Sequence, residues 1–264
     1  MFTFFLICLA VGVFTGFLAG LFGIGGGLVI VPVLVYLMPK YIGVPEAIVM
    51  ACALGTSFAT IVITSFSSAQ RHHKLGNVVW DVVKILAPVI MITTFISGFF
   101  ISYLPKDISA RLFTCLVIYL AIKMFLPVKP KPVTKALTKT STIIAGILIG
   151  MASSAAGIGG GGFIVPFLNS RGIDMKKAIG SSAVCGSLLA IAGMLSFMIA
   201  GWKVEGLPEY SMGYVYLPAL VGITLTSIFT SKIGATVTSI LPVPILKKAF
   251  ALMLLILAIN MILK

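Results

Sequence analysis

Two clusters of glycine are the residues in this chain whose type and spacing could do chemistry. The run GIGGG occurs at Gly23–Gly27 and again at Gly157–Gly161. At this fixed offset of 134 residues, segments 16–34 and 150–168 are identical at ten of nineteen positions. The chain therefore contains two copies of one unit, and each copy carries the same glycine cluster.

Each cluster lies inside apolar sequence, where glycine costs a helix about 1 kcal/mol per residue relative to alanine, so that three in a row predict a break. The segment behind each break begins with N–H groups that lack intrahelical acceptors, and these donors at the positive helix end favour an anion. We predict that an anion binds to the backbone of Gly25, Gly26, Gly27, Gly159, Gly160 and Gly161. The alternative is that the glycines only allow close helix packing, although paired interrupted helices are typical of transporter sites.

Hydroxyl side chains at a similar depth are candidates to complete this site. They are Thr56, Ser57, Ser153, Ser154, Ser181 and Ser182. The alternative for each is a hydrogen bond to a carbonyl of its own helix. Arg71, His72 and His73 form a candidate gate that is sensitive to pH, or, alternatively, part of a solvated basic loop.

The composition predicts an all-α integral membrane protein. Of 264 residues, 59% are hydrophobic and 9% are charged, and the charge-free runs are too long for a soluble chain. Their periodicity suits helices rather than the alternating strands of about ten residues that form an outer-membrane barrel. The net charge of +13 is concentrated in short loops, which points to membrane orientation and lipid contact rather than nucleic acid. We expect the four cysteines to be buried thiols, and no residue cluster predicts a metal or another cofactor.

The spans must position the glycine clusters, and they fall into two repeats. Residues 1–126 form the first membrane repeat, 127–140 a Pro/Lys-rich linker and 141–264 the second repeat. Each repeat is predicted to contain a Gly-broken helix (1–39 and 142–168) and three further spans. These are 46–70, 80–103 and 108–126 in the first repeat, and 177–201, 210–231 and 244–263 in the second.

The basic residues distinguish two topologies. If each broken helix crosses the membrane, the nineteen Lys and Arg residues divide ten against nine between the two sides. If each broken helix re-enters and returns, the halves are inverted repeats and the division is five against fourteen. The positive-inside rule favours the inverted arrangement, with the linker in the cytoplasm and both termini outside.

The paired GxGGG clusters, the proline five residues after each, and the stretch KLGNVVWDVV from Lys74 resemble the sulfite exporter TauE/SafE family of membrane permeases. The resemblance covers essentially the whole chain. It implies transport of small sulfur-containing anions, such as sulfite, thiosulfate or organosulfonates, across a prokaryotic cytoplasmic (inner) membrane. The second half departs from the first because 202–205 (WKVE) stand in place of the cluster at 71–74, so the halves need not contribute equally.

The expected function is therefore a transporter rather than an enzyme, with a small sulfur anion and membrane lipid as partners. A passive anion channel remains an alternative because the same donors can line a pore. A membrane-embedded enzyme of sulfur metabolism is a weaker alternative, because the sequence has no HExxH motif and no paired carboxylates in a span. Association into a homo-oligomer is left open.

Overall fold

The computed structural model describes residues 2–125, 138–238 and 240. This part of the chain forms nine helices and one two-stranded hairpin. The elements are α1 (Phe2–Phe22), α2 (Gly27–Ile42), α3 (Glu46–Lys74), α4 (Trp80–Ser102), α5 (Lys106–Phe125), α6 (Lys139–Ala156), α7 (Gly161–Ser170), α8 (Met175–Ala200), β1 (Ser211–Met212), β2 (Val215–Tyr216) and α9 (Leu217–Val237).

Six of these helices are long and apolar enough to cross a membrane. They are α1, α3, α4, α6, α8 and α9. An all-α, multi-pass membrane protein is thus confirmed for the described part. Both predicted helix breaks are present, because α1 ends at Phe22 before α2 begins at Gly27, and α6 ends at Ala156 before α7 begins at Gly161.

Two expectations from the sequence are wrong. The span predicted from Tyr210 begins at Leu217, because residues 211–216 form an antiparallel hairpin and Pro218 occupies the first turn of α9. Cys115 is exposed, whereas Cys8, Cys52 and Cys185 are buried as expected; an apolar run does not specify which helix face packs against protein. The predicted last span and most of the linker lie outside the described residues.

Contacts between the halves fix the directions of the helices. Helix α1 runs parallel to α9, since Phe4 meets Tyr216 at one end with ring centroids 5.9 Å apart and the Thr238 hydroxyl donates to the Leu21 carbonyl at the other, 2.9 Å away. Helix α3 also runs parallel to α9, because the Tyr216 N–H donates to Thr56 Oγ1 near the start of α3 and Arg71 Nε donates to Thr236 Oγ1 near its end.

The other three long helices form a second parallel set. Helix α4 runs parallel to α8, because Val79 contacts Ser181 near the start of both helices and Gly98 contacts Ser196 near their ends. Helix α4 also runs parallel to α6, because Gly146 lies against Val89 and, further along both helices, Ser154 Oγ is hydrogen-bonded to Ser97 Oγ at 2.8 Å.

The two sets run in opposite directions. The loop that leaves α3 reaches the start of α8, where Asn77 lies against Gly180, whereas the loop that leaves α8 returns to the first half of α3, where Tyr214 lies against Gly55. Helices α1, α3 and α9 therefore begin at one face of the molecule, here called the first face, and α4, α6 and α8 begin at the opposite, second face. The helix breaks meet between α3 and α8, and both of these helices contribute residues to the hydrophobic core.

Candidate functional site

The two glycine breaks contact each other directly. The Gly159 N–H donates to the Ile24 carbonyl at 3.1 Å. A Cβ added at Gly27 would clash with the carbonyl oxygen of Gly157, and one added at Gly161 would clash with that of Gly23. These two close approaches relate equivalent residues of the two copies, so the breaks cross backbone against backbone and leave no room there for a side chain.

The turns also require glycine for their backbone conformation. Gly26 and Gly160, the residues before α2 and α7, have φ of 81° and 73°, in the left-handed region. Glycine adopts this region without the steric cost that a Cβ imposes. The turns reverse the chain and aim the first turns of α2 and α7 at the crossing.

Those first turns keep free donors. In α2 the N–H groups of Val29 and Ile30 donate to the Gly26 carbonyl, and in α7 those of Phe163 and Ile164 donate to the Gly160 carbonyl. Within the described residues, no acceptor is present for the N–H groups of Gly27, Leu28, Gly161 and Gly162. Two helix N-termini with unpaired amides therefore adjoin one crossing, an arrangement that suits an anion.

The predicted hydroxyls on α3 and α8 divide into two pairs. Thr56 Oγ1 and Ser181 Oγ each accept a backbone N–H at 2.9 Å, from Tyr216 and Val79, and so hold the starts of α9 and α4. Ser57 and Ser182 lie at the breaks instead. Ser57 Oγ donates to the Gly157 carbonyl at 2.8 Å, and Ser182 Oγ lies so close to Gly23 that a Cβ there would clash with it.

The two predicted hydroxyls at the end of α6 differ. Ser154 is bonded to Ser97 Oγ and also donates to the Met151 carbonyl at 2.8 Å. Ser153 is fully buried, and its Oγ has no hydrogen-bond partner in the described part of the chain. It lies 3.5 Å from the position of a Cβ on Gly160, so this unpaired hydroxyl adjoins the start of α7.

A comparison with protein-family models supports the resemblance noted from the glycine motifs. The model described as sulfite exporter TauE/SafE matches residues 8–261. The chain belongs to the TauE/SafE family.

Several similar proteins are named as membrane transporters, and their names give no substrate. A probable membrane transporter protein of Haemophilus influenzae is 66% identical over 265 residues, covering 100% of both chains. A probable membrane transporter protein of Methanocaldococcus jannaschii is 30% identical, covering 86% of this chain and 84% of its own. One from Bacillus subtilis is 25% identical, covering 90% and 91%. No solved structure matches the chain.

In this TauE/SafE chain the three candidate gate residues belong to helix α3 rather than to a loop, and they point in different directions. Arg71 Nε donates to Thr236 Oγ1 at 3.1 Å. His72 is fully buried, with Nε2 3.2 Å from the Gly20 carbonyl oxygen. His73 is exposed and packs edge-to-face against Trp80, with ring centroids 5.5 Å apart.

Sequence reasoning missed the part of α3 that touches the first break. Thr64 Oγ1 donates to the Gly25 carbonyl at 3.4 Å and to the Thr60 carbonyl at 3.0 Å, and Ile61 packs against Gly25, Gly27 and Gly159. The available signal was the spacing of four residues that places Thr60 and Thr64 on the same helix face as Thr56.

Proposed function

We propose that this chain transports small sulfur-containing anions, such as sulfite, thiosulfate or organosulfonates, across the cytoplasmic membrane of a prokaryote. The family description names sulfite export, and the relatives are named as membrane transporters. The observation that carries the proposal is the direct contact of two glycine breaks whose following helices keep four unpaired amides. Backbone donors of this kind bind an oxyanion without burying a cationic side chain.

Anion binding at this site requires the breaks to separate. The Gly159 amide is already bonded to Ile24, and the Ser57 hydroxyl to Gly157. An oxyanion accepting from these two groups replaces the two carbonyls, and Ser153 supplies a further hydroxyl beside Gly160. The packed crossing is then a closed state of the transporter, and the bound state differs from it by movement of one half against the other.

We propose further that the halves are inverted repeats with re-entrant breaks. Because α1 and α3 run in the same direction, α2 has to return the chain to the first face between them. Helix α7 does the same between α6 and α8, toward the second face. Three membrane-spanning helices then follow the break in each half. They are α3, α4 and α5 in the first half, and α8, α9 and the span predicted at 244–263 in the second. An odd number of spans inverts the second half relative to the first.

The charges support one orientation of this arrangement. Among basic side chains that the structure describes, eight lie toward the second face and four toward the first. The eight are Arg71, Lys74, Lys84, Lys139, Arg171, Lys176, Lys177 and Lys232, and the four are Lys40, Lys106, Arg111 and Lys203. By the positive-inside rule the second face, where α6 follows the linker, is cytoplasmic and both termini are outside.

The test is flux of sulfite, thiosulfate, sulfoacetate, sulfate and chloride in proteoliposomes. We expect selective flux of a sulfur anion by the native chain. Gly27→Ala, whose methyl group meets the Gly157 carbonyl, should lower that flux at least about tenfold, an effect of about 1.4 kcal/mol. Gly162→Ala is the matched control, because its methyl group meets only the flexible end of Leu120 and the equivalent residue of the first half is Leu28.

Each other outcome has a defined meaning. Flux without selectivity, and without stimulation by substrate on the far side, would replace the carrier with the channel alternative. Equal loss in Gly162→Ala would show that the crossing has no special role. Absence of flux for all five anions in monodisperse, folded protein would contradict the proposed substrate class.

A further inference from the structure

Helix α3 carries a polar side chain at every fourth residue from the breaks to the end of the helix, in a row that winds slowly around the helix. The five residues are Thr56, Thr60, Thr64, Ser68 and His72. Their exposed fractions are 0%, 0%, 1%, 0% and 0%. Residues four apart stack on one face of a helix with Cβ atoms about 5–6 Å apart. We call this set the α3 polar stripe.

Hydrogen bonding changes along the α3 polar stripe. Thr60 Oγ1 donates to the Ser57 carbonyl at 2.7 Å, and Thr64 Oγ1 reaches the carbonyls of Thr60 and Gly25. The last two members are different, because Ser68 Oγ and His72 Nδ1 are buried without a partner in the described part of the chain. Buried polar groups are almost always satisfied, and an unpaired one costs about 1–3 kcal/mol. Two such atoms one turn apart are therefore candidates to bind a water molecule or a proton.

The bonded nitrogen of His72 defines what the other nitrogen can bind. Nε2 lies 3.2 Å from the Gly20 carbonyl oxygen, which only accepts hydrogen bonds. Nε2 therefore carries the ring proton, and Nδ1 of the neutral ring is an acceptor. A buried acceptor beside a hydroxyl binds a proton or a water molecule, and not an anion.

The second half has no equivalent stripe. The matching bonds of Thr56 and Ser181 align α3 with α8 at an offset of 125 residues. The residues of α8 equivalent to the stripe are Ser181, Cys185, Leu189, Gly193 and Phe197. A packing requirement common to both halves would keep both rows of residues alike, so the α3 polar stripe serves something that only one half performs.

We propose that His72 is the binding site of a coupled proton, which enters at Nδ1, and that the α3 polar stripe links this proton to the anion at the glycine breaks. The proposal rests on the transport function proposed above. The Nδ1 lone pair takes up one proton, the ring becomes a cation still bonded to Gly20, and it returns to neutral when the proton leaves; no other bond forms or breaks. A separation of 5–6 Å between stripe residues is one that a bridging water spans.

Coupling follows from the low dielectric of the site. A buried imidazolium alone and a buried anion alone each carry a large desolvation cost, which their mutual attraction offsets when both are present. Binding of the proton then favours binding of the anion, and the reverse holds by linkage. A strong-acid anion is carried with a proton in this way although it cannot itself hold one.

The other charged groups near His72 are mostly cationic. Helix α1 contributes none, because it contains no Asp, Glu, Lys, Arg or His. On α3 itself and on the described helices packed against it at this end, the ionisable groups are Arg71, His73, Lys74, Lys232 of α9, and Lys176, Lys177 and Asp174 at the start of α8. The anion itself is therefore the expected counter-charge for the protonated ring.

The first test measures protons and anions together. An inward gradient of each of the five anions is imposed in turn across proteoliposomes that contain a trapped pH dye. For the anion that is carried, the dye should report acidification of the lumen. In His72→Gln, where the amide still donates to Gly20, the number of protons moved per anion should fall at least about tenfold. His73→Gln is the matched control, since that exposed ring packs on Trp80, and it should keep the native ratio.

The result that overturns the proposal while leaving the proposed function intact is anion flux with an unchanged proton ratio in His72→Gln, or with no proton movement in the native chain. A second measurement does not depend on transport. The chain has two histidines, so ¹⁵N NMR of histidine-labelled His73→Gln reports His72 alone.

We expect that ring to change from the Nε2–H tautomer to the doubly protonated form as the pH is lowered. A ring that stays neutral, or that carries its proton on Nδ1, would refute the proton site even if no anion is transported.

Discussion

Thr56 and Ser181 occupy equivalent places in the two halves, and each accepts a backbone N–H from a loop of the other half. The donors are Tyr216 and Val79, the residues before α9 and α4. Because these N–H groups begin a helix, they have no intrahelical acceptor and need one from a side chain. Two short side chains thus hold the halves together at symmetric points.

Removing the acceptor at Thr56 should destabilise the protein, whereas keeping it should not. Thr56→Val has a similar shape but leaves the Tyr216 N–H buried without this acceptor, which should cost about 1–3 kcal/mol of unfolding free energy. Thr56→Ser keeps the hydroxyl and should remain within about 1 kcal/mol of native, the scale of one lost buried methylene. Thermal unfolding in detergent measures the difference, and equal stability of both variants would refute the role given to the hydroxyl.

At the scale of elements, the two pairs of parallel helices are joined through small residues. On α1, Gly12, Gly16 and Gly20 lie against the backbone of α9; on α6, Gly146 and Gly150 lie against α4. Such close approach provides van der Waals contact between helices in lipid, where no hydrophobic force drives association. These glycine contacts hold α1 against α9 and α6 against α4, so each broken helix packs on a helix of the other half.

We expect Gly16→Leu to prevent normal packing of α1 on α9. A Cβ at Gly16 would lie 2.5 Å from Ser227 Cα and 2.6 Å from its carbonyl oxygen, and these are backbone atoms that cannot move aside alone. The cost should exceed the about 1–3 kcal/mol typical of overpacking. Val13→Leu, on the exposed face of the same helix at 48% exposure, is the control. The measurement is the yield of monodisperse protein and its unfolding temperature. Native-like values for Gly16→Leu would contradict the close packing of α1 on α9 at this residue.

Individual residues also show how much of these elements could be predicted. Both helix breaks could be predicted from the glycine runs, because three consecutive glycines in apolar sequence oppose a helix wherever they occur. The hairpin before α9 could not be predicted, because Tyr214 and Tyr216 look like apolar span residues until their contacts with Gly55 and Thr56 are known. The roles of Thr56 and Ser181 were likewise hidden, because a hydroxyl at a given depth does not indicate which partner from a distant segment it meets. Such partners are a property of tertiary packing.

At the scale of the whole molecule, the directions of the helices and the distribution of charge support the same arrangement. The directions come from contacts such as Arg71 with Thr236 and Val79 with Ser181, in which the count of basic residues plays no part. The charge count in turn needs only which loops share a face. The directions favour inverted halves, and the charges then favour the second face as the cytoplasmic one. A single labelling experiment can test both parts of this arrangement.

That experiment is the accessibility of single cysteines in intact cells. The background replaces Cys115, the exposed native thiol, by serine, and leaves Cys8, Cys52 and Cys185 buried. Lys203→Cys, exposed on the first face after α8, should react with a membrane-impermeant maleimide in intact cells. Lys74→Cys, exposed at the end of α3 on the second face, should react only after permeabilisation.

The two positions are informative together because Lys74 lies at the end of α3, Lys203 lies just after the end of α8, and the two helices run antiparallel. If the broken helices crossed the membrane fully, α3 and α8 would run parallel, and residues 74 and 203 would lie on the same side. Labelling of both in intact cells, or of neither, would therefore reject the inverted arrangement. Labelling of Lys74→Cys alone would keep the inversion but reverse the orientation, which would mean that the basic loops of this chain do not follow the positive-inside rule.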